Sequence, residues 1–175
     1  MRRRFHSAFS LIEVVIAVGV FGAAIAVILA LLPALTKQSS ESAAALTAQQ
    51  LGDVIRVELV RVASLETFDG LAGNLPVVAA PLTGGRQFVA TRDGRRLHAV
   101  DPLPAAGAIS SADQYFLIEC WKFPNEPLRP DGTKAFLATL VRVSWPYQTG
   151  ASGGAATTTP LESRAQLTFT CAINR

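Results

Sequence analysis

The chain has 175 residues, half of them hydrophobic and 17% charged, enough for one domain with its own core plus an attached element. That composition excludes a chain disordered throughout. Its formal charge of +3 is matched in number by Arg2, Arg3 and Arg4 alone, so the rest of the chain is balanced, and a basic surface able to dominate phosphate binding is not expected.

In chain order, the first element is apolar. Val14 to Leu32 runs 19 residues without a charge, which as helix spans about 28 Å and matches the hydrocarbon thickness of a bilayer. The three arginines before it stay on the cytoplasmic side under the positive-inside rule, so everything after the helix is expected outside the cytoplasm. An ordinary cleaved signal peptide has a shorter apolar region; a triplet that could serve one, Ala24-Ile25-Ala26, lies inside this run.

Glu13 is the feature that neither a signal peptide nor a plain anchor explains. It is a carboxylate set among Phe9, Leu11, Ile12 and Val14 to Ile16, at the edge of a segment built for lipid. The run Ala8-Phe9-Ser10-Leu11-Ile12-Glu13-Val14-Val15-Ile16-Ala17 resembles the cleavage and methylation motif of type IV prepilins and type II secretion pseudopilins. The resemblance implies a leader over residues 1–8, removed by a prepilin peptidase between Ala8 and Phe9, and N-methylation of the new terminus at Phe9. It implies that Glu13 pairs in the filament with the Phe9 amine of a neighbouring subunit. Ala8 stands where the family usually has glycine, which keeps the site small. The Leu31-Leu32-Pro33 end of the run and its Ala/Gln-rich continuation are also similar to pilin-like cassette proteins of Verrucomicrobia.

Residues 9–35 are thus expected to form a transmembrane or filament-core helix, and residues 36–63 its amphipathic continuation. After Leu35 the sequence turns polar yet has no glycine until Gly52, and Ala44, Ala48, Leu51, Ile55, Leu59 and Val62 recur at helical spacing. Pro33 removes one backbone hydrogen bond and predicts a kink near Leu29 to Pro33.

Residues 64–175 read as a β-rich globular domain. Gly70 to Pro76, Thr83-Gly84-Gly85 and Asp93-Gly94 are turn signals; Gln87 to Thr91 and Arg95 to Ala99 flank the last as a hairpin. A Pro- and Ala-rich loop, Asp101 to Ala112, follows. Tyr115 to Phe123, Ala135 to Trp145 and Arg164 to Ile173 predict three longer antiparallel strands whose inner face covers the helix, with a flexible loop from Gln148 to Pro160. In the middle strand Val141, Val143 and Trp145 share one face and Arg142 and Ser144 the other. The fold class is therefore α+β, a type IV pilin-like layout of one long N-terminal helix packed on a small antiparallel sheet.

Chemistry is sparse. His6 lies in the leader and His98 in a hairpin strand, and no Cys/His spacing or phosphate-cradling glycine motif occurs, so neither an enzyme, a metal site nor a cofactor is expected. Asp101, Asp113, Glu119, Glu126 and Asp131 are too scattered for a calcium site. Cys120 and Cys171 could form a disulfide in an exported domain or stand as two buried thiols.

The function expected is structural: a minor pilin or pseudopilin of a type IV pilus or type II secretion-type filament, single-pass in the bacterial inner membrane, with its C-terminal domain periplasmic or extracellular. Its partners would be the prepilin peptidase/methyltransferase and, through the N-terminal helix, other pilins or pseudopilins. Two alternatives stand beside it. One is a filament-tip module for DNA, a surface or a secreted substrate, motivated by Arg86, Arg92, Arg95 and Arg96; the other is a plain membrane-anchored protein.

Overall fold

A computed structural model of the chain describes residues 10–77, 86–100, 108–125, 128, 135–149 and 156–174. The expected leader 1–8 and cleavage position Ala8–Phe9 lie outside the described residues, as do Gly84, Gly85, Asp101, Glu126 and Asp131. The chain divides into two compact units, Met1–Ser42 and Ala43–Arg175.

One helix, α1, runs from Leu11 to Glu66 and is unbroken through Pro33. Proline brings no N–H, and three residues further on the Thr36 hydroxyl donates to the carbonyls of Leu32 (3.1 Å) and Pro33 (3.0 Å). Within the first unit every side chain from Ser10 to Ser39 is exposed. An eighteen-residue window there reaches a mean hydropathy of 3.0, so the chain has a helix long and apolar enough to cross a membrane.

In the second unit the same helix becomes amphipathic. Ala44, Ala48, Leu51, Ile55, Leu59 and Val62 are its buried residues, the stripe the helical spacing predicts. Each of Leu51, Ile55 and Leu59 is at most 1% exposed and contributes about 1.5–3 kcal/mol of burial free energy. α1 stops at Thr67, held at a left-handed φ of 69°. The Thr67 hydroxyl accepts from the Gly70 amide (3.3 Å) and starts a short helix, α2 (Phe68–Asn74), which buries Leu71. This helix falls where the sequence suggests a turn.

Five strands form an antiparallel sheet in the order β2-β1-β3-β4-β7: β1 (Arg86–Ala90), β2 (Leu97–Ala99), β3 (Phe116–Lys122), β4 (Phe136–Trp145) and β7 (Ala165–Asn174). Inside the predicted 148–160 loop, β5 (Gln148–Thr149) and β6 (Thr157–Thr158) pair as a separate ribbon. Alternation along each strand sends one set of side chains to the helix. Phe88, Phe116, Ile118, Leu137, Val141, Val143 and Ile173 close one core with the α1 stripe, while Val89, Leu117 and Ile109 form a small cluster on the opposite face. The result is an α+β layout like the pilin fold.

The β1–β2 turn leans on the helix. Gly94 sits at φ +68°, and a Cβ built there would fall 2.8 Å from Thr47 Cγ2. Only glycine meets both the left-handed backbone and that close approach.

Candidate functional site

The start of α1 is built from Ser10-Leu11-Ile12-Glu13, a capping box. The Ser10 amide and hydroxyl donate to Glu13 Oε2 (2.9 and 3.1 Å), and the Glu13 amide donates back to Ser10 Oγ (3.3 Å). Backbone donors that open a helix have no partner inside it, and this pair satisfies two of them locally, the amides of Ser10 and Glu13. The S-x-x-E spacing is a sequence signal for this cap. The prepilin resemblance draws attention to Glu13 alone and passes over Ser10. Both Ser10 donors go to Oε2, and a carboxylate has acceptor capacity for more than two donors, so Glu13 can hold the cap and accept a further cation.

Beyond the cap, Ile12, Val14, Val15, Ile16, Val18, Val20 and Phe21 are 53–66% exposed, and large apolar side chains stay exposed as far as Leu35. An apolar surface of this extent is characteristic of contact with lipid or with other apolar helices.

In the second unit the two cysteines stand apart. Cys120 lies on β3 opposite Val141, and Cys171 on β7 opposite Thr139, with β4 between them. Two strand spacings, with a two-residue offset along β4, put their Cα atoms about 11–12 Å apart, beyond the reach of a disulfide. Both are free buried thiols, one of the two states that the sequence leaves open. Burial pushes the Cys120 thiol far above its ordinary value, and burial also raises that of Cys171 although Arg56 nearby opposes it. Neither thiol is set up as a nucleophile.

Of the four arginines that motivate a phosphate-binding tip, Arg92 and Arg96 line one open groove together with Asp93 and Asp113. Arg86 pairs with Glu66 at the end of α1, Arg95 lies 3.9 Å from Asp93, and Arg92 stacks 5.1 Å over the Tyr115 ring. Glu119 and Asp113 are placed separately. Glu119 is buried and takes Arg142 Nε and Nη2 on one oxygen at 2.9 and 2.8 Å, while Asp113 accepts from Ser110 Oγ at 2.8 Å. Among the described residues no three His, Cys, Asp or Glu side chains converge as a metal-binding group. His98 sits on β2, paired across from Val89.

Comparison of the chain with protein-family models, curated proteins and solved structures yields no match.

Proposed function

We propose that the chain is a structural subunit, a minor pilin or pseudopilin, of a type IV pilus or type II secretion-type filament. It is inserted in the inner membrane, cut before Phe9 by a prepilin peptidase, methylated there and assembled through α1. The observation that carries this reading is the uncovered apolar face of Leu11 to Leu35, headed by a carboxylate whose cap leaves room for one more donor. An apolar helix surface of that extent has two suitable environments, a bilayer and a bundle of like helices, and a filament subunit passes from the first to the second. Glu13 then sets the register: the cationic amine of Phe9 in a neighbour satisfies the carboxylate when the helices are correctly staggered, and leaves it unmatched in apolar surroundings when they are not. Methylation of that amine keeps its charge.

A second reading has one specific observation in its favour. The capping box gives Glu13 a role in any membrane-anchored helix, with no filament required. The experiment that separates the two is co-expression of the full chain with a prepilin peptidase, and without it, followed by intact and peptide mass spectrometry of the membrane-extracted protein. A peptidase-dependent product beginning at N-methylated Phe9 is expected. A chain keeping its residues 1–8 whether or not the peptidase is present would overturn the filament reading and leave the plain anchor.

A further inference from the structure

The two edges of the sheet are protected to very different degrees. On one side β2 is only three residues long. On the other, β7 runs ten residues, pairs with β4 through ten consecutive positions without a bulge, and carries neither a charge nor a proline between Ala165 and Asn174. Short length, charges, prolines and bulges are among the devices that keep an edge from recruiting another strand; β7 has none of these, and among the described residues no strand pairs with its outer side.

Beside this edge the second half of α1 forms the wall of an open groove of about 410 Å³. Leu167, Phe169 and Cys171 line it from the strand, and Gln49, Asp53 and Arg56 from the helix. Gly52 makes room at its centre, since a Cβ there would come 3.3 Å from the Phe169 ring. Helix and strand climb together: Gly52 lies against Phe169, and one turn later Arg56 lines the same groove as Cys171. Asp53 and Arg56 are exposed, and neither has an ion-pair partner among the described residues.

We propose that β7 and this groove form a docking site for an extended peptide, which adds to the sheet as a sixth, antiparallel strand. Main-chain hydrogen bonds along an open edge bind any extended segment, and the groove chooses among them through alternate side chains. Running antiparallel to β7, the segment meets Arg56 before Asp53. It therefore carries an acidic residue and, two positions later, a basic one on its groove-facing side, with apolar residues flanking them. A second copy of β7 does not fit this description, because a strand with no charged residue brings nothing to meet Asp53 or Arg56.

The test uses the full chain in detergent micelles and a fluorescein-labelled peptide, acetyl-Val-Thr-Glu-Thr-Lys-Thr-Val-Thr-amide, with fluorescence anisotropy as the readout. Saturable binding is expected. Asp53→Lys or Arg56→Glu weakens it about fivefold, and the double variant about tenfold or more, as expected for exposed charge pairs turned repulsive. The double variant in turn prefers the peptide with Glu and Lys exchanged. Both positions are exposed, so the variants fold, and unchanged thermal melting of each checks this. Absence of saturable binding up to millimolar peptide overturns the proposal. So does equal affinity for the two peptides, or self-association of the chain that the peptide does not displace.

Discussion

Replacing Arg142 with Met tests how the sheet face opposite the helix is held together. Glu119 and Arg142 are directly opposed on β3 and β4, with side chains only 7% and 16% exposed, and the guanidinium also lies 5.5 Å from the centroid of the Trp121 ring. Arg142→Met strands the Glu119 carboxylate in a pocket that water barely reaches. Removing one partner of a buried pair costs about 3–5 kcal/mol, and the residual exposure of Arg142 lowers this to about 2–4 kcal/mol. Removing both, as Glu119→Leu/Arg142→Met, eliminates the desolvation along with the attraction and is expected to lie within about 1 kcal/mol of the parent. The coupling between the two sites, the single costs summed less that of the double, is then about 2–4 kcal/mol or more. Urea unfolding of the full chain in micelles, followed by the fluorescence of its two tryptophans, Trp121 and Trp145, measures all four corners of the cycle. Single variants whose costs simply add in the double variant would refute the reasoning, as would an Arg142→Met penalty below about 1 kcal/mol.

Two further outcomes follow from the placement of the thiols and the carboxylates. Mild oxidation of the folded chain should leave both thiols intact, with no loss of two hydrogens by intact mass and no alkylation of Cys120 until denaturant is added; a native Cys120–Cys171 crosslink would mean that β4 does not separate them. Stability should hold between pH 7 and 5 and decline as pH falls below about 4.5. The carboxyl of Glu66 is held below its ordinary value of 4.5 by its hydrogen bond to Arg86, and that of Glu58 by its hydrogen bond to Arg61. A depressed folded value means a contribution complete above the unfolded value and lost as pH drops through the folded one. Arg86→Met removes the Glu66 part, so thermal melting of this variant should depend less on pH over that range.

Much of the fold is legible in the sequence because two periodicities are strong. The stripe from Ala44 to Val62 repeats at helical spacing for five turns, and Val141, Val143 and Trp145 alternate against Arg142 and Ser144. Where local signals were ambiguous, the core decided. Phe68–Asn74 holds two glycines and reads as a turn, yet Leu71 fits the core and the Thr67 hydroxyl opens a helix for it. Strand order was not legible at all, and the disulfide question depended on it: only the placement of β4 between β3 and β7 shows that Cys120 and Cys171 cannot meet. At the head of α1 the cap was legible in Ser10-x-x-Glu13, but attention to the acid as an intermolecular group hid its local partner.

The distance along the chain between α1 and the strands that cover it has a bearing on biogenesis. Gly52 meets Phe169 and Thr47 meets Gly94, so the helix is synthesised long before the residues that shield its apolar stripe. Contacts this non-local form slowly, and a stripe left bare in the meantime invites aggregation. The stripe of a nascent chain of this design stays uncovered until β4 and β7 have emerged, and ribosome pausing before Phe136 would lengthen that period of exposure.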